Sequence, residues 1–249
     1  MGKANISVWY ARTIAFLPIV FLFLAVFIAR SDVRWFFALA GALLISEAWL
    51  VKKAKLVHLK MFAVSLLALA SIGLGAASIL TIEKIELLKD PQRVTSCSFS
   101  PIVACSPVIA SKQASAFDSI PNPIFGIFGF TAVFTAGMTI LAGADKLKRA
   151  WWLALFGGTV FGVSFSVWLF NAGVYQIGAL CLYCLAVWLV TLSLFWIVFA
   201  EVLGRSMLTM SKPIDKFIVK NRDNLIAVNI GIIILLLYFR WSDYWNGLL

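Results

Sequence analysis

The chain has 249 residues, of which 62% are apolar and 13% are charged, with 21 Lys and Arg against 11 Asp and Glu. Soluble domains are roughly half apolar and about a quarter charged, so a single soluble core is excluded and a polytopic membrane protein is expected. The net charge of +10 is not accompanied by a basic aromatic module, so no nucleic-acid partner is expected and the excess charge indicates membrane orientation.

Seven hydrophobic segments follow one another along the chain, and a helix needs about 20 mostly apolar residues to cross the hydrocarbon layer. We therefore predict an all-α polytopic membrane protein without a cleavable signal peptide or an internal repeat. The first two segments are short and the second contains Glu47, so a tilted or re-entrant hairpin is expected there. The predicted segments are Thr13–Ile28, Trp35–Val51, Met61–Ile82, Pro123–Leu141, Trp151–Phe170, Ile177–Val202 and Leu225–Phe239.

The basic residues predict the orientation of these segments, because cytoplasmic loops of membrane proteins carry an excess of Lys and Arg. With a cytoplasmic N-terminus, most basic residues fall on the cytoplasmic side. The loop Lys84–Pro121 is then extracytoplasmic, as is the N-terminal end of the segment Ile177–Val202. A first hairpin that does not span leaves this orientation unchanged. The basic residues expected in the cytoplasm are Lys3, Arg12, Lys52, Lys53, Lys55, Lys60, Lys146, Lys148, Arg149, Arg205, Lys212, Lys216, Lys220 and Arg222.

All four cysteines lie on the predicted extracytoplasmic side, Cys97 and Cys105 in the loop and Cys181 and Cys184 at the start of a segment. An even number of cysteines in an oxidising compartment indicates disulfides. For the loop pair, a purely structural disulfide stays open. A bridge between Cys181 and Cys184 would close a very small loop across one helical turn, which favours a strained and redox-active bond. Zinc bound by four thiolates is a further alternative.

Residues beside the cysteines favour reactive thiols. Ser106 and Pro107 suit the N-cap and the first position of a short surface helix over Pro107–Ala116. The positive end of that helix would then favour the thiolate of Cys105. Gly178 is a plausible helix start before the Cys-x-x-Cys pair, where the same effect is expected in weaker form.

Aromatic and amide side chains near the second pair could hold a flat ligand. Cys181, Cys184 and Trp188 share one helical face, being spaced i, i+3 and i+7, although a packing role for the tryptophan is equally open. Asn122 opens the stretch "NPIFGIFGF", where its amide could cap the helix, hydrogen-bond a ligand carbonyl, or do both. Phe125 follows it and could form a wall of the same site or pack against a neighbouring helix.

These motifs together resemble the vitamin K epoxide reductase family, in particular its bacterial members. The segments "LTIEKIELLKDP", "SCSFSPIVACSPV" and "QASAFDSIPNPIFGIFGF" are similar to the loop of that family, and the similarity extends over about residues 61–203. The Cys-x-x-Cys pair alone would not be specific, whereas the ordered set of motifs is. That set is Cys97-x7-Cys105, Asn122-Pro-Ile-Phe-Gly126 and Cys181-Leu-Tyr-Cys184.

The resemblance implies a four-helix bundle that encloses a quinone, menaquinone or ubiquinone, near the Cys-x-x-Cys pair. It implies an enzyme without a metal that reoxidises a secreted or membrane-anchored thioredoxin-like (DsbA-like) partner and passes the electrons to the quinone. Carried over by position, Cys97 and Cys105 face the partner, Cys105 attacks the second pair at Cys181, and Cys184 faces the quinone. The residues implied to contact the quinone are Asn122, Phe125, Trp188 and Cys184.

The resemblance also divides the chain into three parts. Residues 1–60 are a hydrophobic hairpin and a basic loop, residues 61–203 are the catalytic core with the outer loop 84–121, and residues 204–249 are a linker and a last transmembrane helix. The hairpin has no functional assignment. No fused thioredoxin-like domain is visible, so a separate partner is expected at a bacterial-type cytoplasmic membrane.

Other functions stay open from the sequence. A quinone-epoxide reductase would use the same four cysteines, and a non-enzymatic membrane scaffold could be stapled by two disulfides. DsbB-type oxidases also combine four helices with two cysteine pairs, but the Asn-Pro motif and the cysteine order favour the family named above. His58 lies on the predicted cytoplasmic side, which leaves Asp118 and water as candidate proton donors to the quinone.

Overall fold

The computed structural model describes residues 17–26, 31–53, 58–116, 120–144 and 146–246, and these ranges contain helices and no β-strand. This confirms the predicted all-α fold. A 3₁₀ turn covers Lys112–Ala114 and a π-helical turn covers Ala172–Ile177. The α-helices are α1 (Leu17–Val26), α2 (Ser31–Lys53), α3 (His58–Lys89), α4 (Cys105–Ala110), α5 (Asn122–Leu141), α6 (Arg149–Asn171), α7 (Leu182–Gly204), α8 (Lys212–Arg240) and α9 (Ser242–Asn246).

Among the described residues, five helices are long and apolar enough to cross a membrane, namely α3, α5, α6 with its π-helical end, α7 and α8. The chain is therefore an all-α multi-pass membrane protein, as its composition predicts. The first predicted segment, Thr13–Ile28, lies partly outside the described residues, and α1 is a shorter apolar helix within it. The second predicted segment corresponds to α2, which has 23 residues.

The centre of the molecule is formed by α3 and α7. In their most apolar stretches 61% and 67% of the residues are buried, against 22% for α5, 11% for α6 and 22% for α8. α3 packs against α5 and α7, while α7 also packs against α6 and α8. Large apolar side chains such as Phe128, Phe161 and Phe239 point outward, where hydrocarbon rather than water is the expected solvent. α3, α5, α6 and α7 thus form a four-helix bundle.

α3 and α5 approach closely at Gly73. A Cβ atom there would lie closer than 3.0 Å to three ring atoms of Phe130, so the ring occupies the space that any other residue would need. Gly73→Ala is expected to lower the unfolding free energy by about 1–3 kcal/mol, the usual penalty for overpacking. The measurement is thermal unfolding in detergent, followed by tryptophan fluorescence.

The matched control for this prediction is Gly157→Ala in α6. No atom outside its own helix lies within 4 Å of a Cβ at Gly157, and alanine favours helix over glycine by about 1 kcal/mol. This variant should therefore unfold at the wild-type temperature or slightly above it. A Gly73→Ala protein that is as stable as the control would contradict the close approach.

The connection between α6 and α7 departs from the predicted segment Ile177–Val202. Gly178 has a left-handed backbone with φ 75° and ψ 25°, which ends the π-helical turn. Cys181 is still extended, and α7 begins only at Leu182. The prediction that Gly178 starts the helix is therefore wrong. Glycine is favoured here because a left-handed conformation strains residues that carry a Cβ.

A polar cluster around the buried carboxylate of Glu201 joins α3 and α7 at the end opposite to the cysteines. Arg205 Nε donates to Glu201 Oε1 at 2.6 Å, and His58 Nε2 lies 3.5 Å from Glu201 Oε2. The guanidinium group of Arg205 also lies 4.3 Å from the ring centroid of Trp152. Glu201 is 17 residues after Cys184 on α7, which corresponds to about 25 Å along the helix. His58 is therefore remote from the cysteine pairs.

Candidate active site

The first cysteine pair lies in the loop between α3 and α5. Cys97 and Cys105 form a disulfide, with Cα atoms 5.6 Å apart, and neither side chain is exposed. Cys105 is also the first residue of the short helix α4. The structure thus pairs the two loop cysteines with one another.

Three hydroxyl groups join the parts of the loop that flank this disulfide, and we call Thr95, Ser98 and Ser106 the hydroxyl cluster. Thr95 Oγ1 lies 2.9 Å from each serine Oγ, and the two serine oxygens are 3.2 Å apart. The N–H of Thr95 donates to Ser106 Oγ at 3.0 Å, and the N–H of Cys105 donates to Ser98 Oγ at 3.2 Å. Because the cluster flanks both cysteines, it holds their backbones together.

The predicted N-cap role of Ser106 is wrong. The N-cap of α4 is Ala104, which has no side chain able to cap, and the Ser106 hydroxyl accepts from Thr95 instead. The predicted single helix Pro107–Ala116 is also replaced by α4 and the 3₁₀ turn Lys112–Ala114. The physical reason is that the loop folds back over the start of α4, where a buried backbone N–H requires an acceptor.

Removing the Ser106 hydroxyl is expected to loosen the loop. Ser106→Ala deprives the Thr95 N–H of its acceptor, and an unsatisfied buried donor costs roughly 1–3 kcal/mol. We expect faster hydrogen–deuterium exchange at the amides of Thr95 and Cys105. Ser111→Ala is the control, because its hydroxyl donates to Val108 O outside the cluster. Unchanged exchange in the Ser106 variant would show that the cluster does not hold the loop.

The second cysteine pair lies at the start of α7. Cys181 is the N-cap residue, and its Sγ accepts the N–H of Cys184 at 3.3 Å. The two side chains are close enough to hydrogen-bond each other, and both are free thiols. Cys181 is buried, whereas Cys184 is partly exposed. The pair therefore occupies a helix N-terminus rather than the regular helical turn that the sequence predicted.

A backbone hydrogen bond brings the two pairs together. The N–H of Leu180 donates to Ile102 O at 2.7 Å, which ties the turn before α7 to the loop. The sulfur atoms of Cys97, Cys105 and Cys181 all lie within 4.8 Å of one another. Exchange between a thiol and a disulfide requires direct attack of sulfur on sulfur, so a small movement is sufficient to start it.

The three clustered sulfur atoms also have a spacing that suits a metal ion. Zinc is bound by thiolates, however, and two of these three sulfurs form a disulfide, which carries no thiolate charge. The bonding in this structure therefore favours thiol–disulfide exchange over the predicted alternative of a zinc site.

Asn122 is the first residue of α5, and its amide contacts the loop. Nδ2 donates to Gln113 O at 2.6 Å, and Oδ1 accepts the N–H of Ala116 at 2.8 Å. The N-cap of α5 is Pro121, without a side-chain hydrogen bond, so the predicted N-cap role of Asn122 is wrong. Its amide nitrogen carries two hydrogens, and one of them is used by Gln113.

Two aromatic residues that the sequence predicted to border a flat ligand are Trp188 and Phe125. Trp188, one turn further along α7, is buried and packs edge-to-face on Phe170, with ring centroids 4.9 Å apart. Phe125 is half-buried on α5. A quinone site requires apolar walls, a hydrogen-bond donor and an electron donor. The contact of Trp188, Phe125 and Asn122 with a quinone stays a prediction.

Two charged residues at the end of α3 hold the loop, and the sequence assigned them no role. Glu83 Oε1 accepts the N–H of Ser96 at 3.0 Å, while its Oε2 is buried without a hydrogen-bond partner among the described residues. Lys84 Nζ donates to Ile109 O at 2.7 Å. In the sequence, the only sign of this role is that Glu83 and Lys84 are adjacent charged residues near the end of an apolar segment. Their hydrogen-bond partners could not be predicted, because these depend on the path of the loop. Asp118, a candidate proton donor, lies outside the described residues.

Comparison with known families gives a match over more than half of the chain. The protein-family model described as "Vitamin K epoxide reductase family" matches residues 64–199 of the chain. This range contains both cysteine pairs and Asn122, and it excludes α1 and α2. No curated protein matches the chain.

Proposed function

Because this chain belongs to the vitamin K epoxide reductase family and is thus a membrane oxidoreductase, we propose that it passes electrons from a protein dithiol to a membrane quinone. The observation that carries this proposal is the approach of the two cysteine pairs, with three sulfur atoms within 4.8 Å of one another. One pair lies in a polar loop, and the other lies at the end of an apolar helix. Such a pair of sites can connect a protein donor in water with a lipid-soluble acceptor.

The first step of the proposed reaction is exchange at the loop pair. A thiolate of the donor attacks Cys97, the Cys97–Cys105 bond breaks, and Cys105 leaves as a thiolate. The second thiol of the donor then displaces Cys97 and releases the donor as a disulfide. Both loop cysteines are now reduced and carry the two electrons.

The second step transfers these electrons to the Cys-x-x-Cys pair. Cys105 attacks Cys181 in a Cys181–Cys184 disulfide, Cys184 leaves as a thiolate, and Cys97 resolves the mixed disulfide. The products are a loop disulfide and two thiols on α7, which is the combination in this structure. The geometry supports attack at Cys181, because Cys184 is not among the three clustered sulfurs.

The last step needs a quinone beside Cys184, which is the one cysteine of the four that is not fully buried. When bound, a quinone accepts two electrons and two protons. Cys181 and Cys184 lose them and form their disulfide again. Asn122 would donate its second Nδ2 hydrogen to a quinone oxygen, and Phe125 and Trp188 would border the ring.

We propose that the cysteine loop faces away from the cytoplasm of a bacterial cell and that the donor is a separate thioredoxin-like protein. Basic residues are concentrated near the opposite ends of the helices, which agrees with the positive-inside tendency. The catalytic core would then be residues 61–203. The basic residues nearest those ends include Lys146, Lys148, Arg149, Arg205 and Lys212.

The proposal is tested with the full chain purified in detergent and a reduced thioredoxin-like protein as donor. A short-chain ubiquinone, a menaquinone analogue and vitamin K epoxide are supplied separately as acceptors. We expect the donor to lose its thiols while a quinone is reduced, with one donor disulfide formed for each quinone consumed. Quinone reduction is followed by absorbance and donor oxidation by alkylation of the remaining thiols.

The other outcomes distinguish the alternatives. Consumption of the epoxide without reduction of either quinone would replace the proposal by an epoxide reductase. If none of the three acceptors supports oxidation of the donor, enzymatic turnover is contradicted and a scaffold held together by disulfides is favoured. The Cys97→Ala, Cys105→Ala double variant is the negative control, because it keeps the second pair but lacks the loop pair.

A further inference from the structure

Helix α2 lies outside the matched family range, yet it packs closely against α3. Glu47 in α2 is buried, and its Oε1 accepts a hydrogen bond from Ser65 Oγ of α3 at 2.6 Å. A buried carboxylate requires such a partner, so this bond favours one position of α2 along α3. The other buried residues of α2 recur at helical spacing on one face, as expected for a docked helix. They are Val33, Phe37, Ala40, Gly41 and Leu44.

One aromatic residue of α2 reaches the Cys-x-x-Cys motif itself. Phe36 packs edge-to-face on Tyr183, with ring centroids 5.3 Å apart and an interplanar angle of 76°. Tyr183 lies between the two cysteines of the motif and is 2% exposed. The ring of Phe36 also comes within 3.5 Å of the position of a Cβ at Gly75 in α3. Phe36 therefore fills the space between α3 and the first turn of α7.

We propose that Phe36 is a positioning residue for the redox site and that α2 contributes to the reactivity of that site through this residue. Through Tyr183, Phe36 holds the first turn of α7, and this turn sets the reactivity of Cys184. The inference rests on the proposed role of the Cys-x-x-Cys pair in electron transfer. It assigns a function to a segment that lies before the matched family range.

The physical link runs from the ring contact to the sulfur atoms. On one side of Cys181, the N–H of Leu180 is tied to the loop through Ile102 O, and on the other side the ring of Tyr183 is held by Phe36. Fixing the ring of Tyr183 fixes the backbone on either side of it. The contact between Cys184 N–H and Cys181 Sγ, at 3.3 Å, depends on that backbone. Loss of the Phe36 ring should therefore change how readily Cys184 reacts.

The test compares Phe36→Leu, Phe36→Tyr and Trp35→Leu in the full chain. Leucine keeps apolar volume but removes the ring, tyrosine keeps the ring, and Trp35 is an adjacent aromatic residue of α2 that is 65% exposed. Each protein is fully reduced, and the alkylation rate at Cys184 is measured by mass spectrometry. An edge-to-face pair is strong enough for a change of about threefold to tenfold. We expect this change for Phe36→Leu and wild-type rates for the other two variants.

A second measurement separates positioning from general packing. The alkylation rate is also determined for Tyr183→Leu and for the double variant Phe36→Leu, Tyr183→Leu. If Phe36 acts through Tyr183, the Phe36 change has no further effect once Tyr183 is replaced. Additive effects, or an equal change in Trp35→Leu, would overturn the inference. If Phe36→Leu does not fold, Tyr183→Leu alone must change the rate, and a wild-type rate in that variant would also overturn it.

The same variants distinguish this inference from the proposed function. Alkylation of Cys184 does not require a quinone or a donor protein. If the wild-type chain reduces no quinone but Phe36→Leu still changes the alkylation rate, the proposed function fails and the positioning role stands. If the wild-type chain reduces quinone, we expect Phe36→Leu to lower kcat and leave the KM for the donor protein unchanged. An unchanged kcat would contradict the positioning role.

Discussion

Cys184→Ala is expected to abolish electron transfer to quinone. In the proposed reaction the electrons leave through this sulfur, and removal of one member of a covalent relay eliminates the route rather than slowing it. By comparison with other catalytic units whose members act together, we expect a loss of at least about a thousandfold in quinone reduction. The measurement is the rate of quinone reduction in detergent with a reduced thioredoxin-like protein as donor.

The Cys184 variant should also form a disulfide between the pairs. Its Cys181 thiol lies within 4.8 Å of both loop sulfurs and can attack Cys105 of the loop disulfide, while Cys97 leaves as a thiolate that can reverse the step, so the mixed disulfide is expected as one member of an exchange equilibrium. Mass spectrometry of linked peptides would detect Cys181 bonded to a loop cysteine. Cys181→Ala is the matched control, which should lose quinone reduction equally but form no such link. Rapid quinone reduction by the Cys184→Ala protein would refute the scheme.

Cys105→Ala is expected to stop turnover with a protein donor while leaving the quinone site active. Without Cys105 the loop pair cannot form a disulfide, so electrons from the donor cannot reach Cys181. A small dithiol such as dithiothreitol is expected to reduce the second pair directly and to sustain quinone reduction. We expect the rate with the protein donor to fall at least about a hundredfold. The comparison of the two donors in one assay is the measurement.

The Cys105 variant should also capture its donor. When the donor is supplied in its disulfide form, the Cys97 thiol attacks that disulfide and one donor sulfur leaves as a thiolate. No Cys105 thiol is present to attack the mixed disulfide from the loop, so a covalent complex should appear on a non-reducing gel. Cys97→Ala is the control, since it loses the same disulfide and about 2–3 kcal/mol of loop-closure stabilisation. Capture by the Cys97 variant instead would reverse the roles of the two loop cysteines. If the Cys105→Ala variant loses as much quinone reduction with dithiothreitol as with the protein donor, the two cysteine pairs do not act in series.

The membrane class and the family were predictable from the sequence because both depend on residue type and order. Apolar composition requires a hydrocarbon solvent for most of the helices. The order of the four cysteines and of the Asn-Pro motif was specific, and the family match over residues 64–199 confirms it. The roles of the individual residues stay predictions, since they depend on geometry as well as on identity.

Two helix caps were predicted wrongly for the same physical reason. Ser106 and Asn122 both have side-chain oxygen atoms that suit an N-cap, but each accepts from a loop N–H instead. A capping propensity states only that an acceptor can bind a nearby N–H group. Which N–H group is nearest depends on how the loop folds back, and this is not encoded in the few residues around the cap.

The start of α7 shows a similar limit. Hydrophobicity is continuous from Ile177 onward, so the sequence indicated an unbroken helix. The left-handed Gly178 and the hydrogen bond from Leu180 to Ile102 interrupt it. This interruption places Cys181 beside the loop disulfide. An apolar pattern alone does not predict such an interruption.

The sequence by itself determined that this protein is helical, crosses a membrane several times and carries two cysteine pairs in a specific order, because these properties follow from composition and local spacing. Only the tertiary structure decided that three of the sulfurs meet, that a hydroxyl cluster holds the loop, and that Phe36 reaches Tyr183. The sulfur cluster and the Phe36 contact join residues far apart in the chain and form only when whole helices pack, whereas the hydroxyl cluster depends on how one loop folds back on itself. Local patterns report which face of a helix is apolar, but the packing of all the helices selects the neighbour that the face meets.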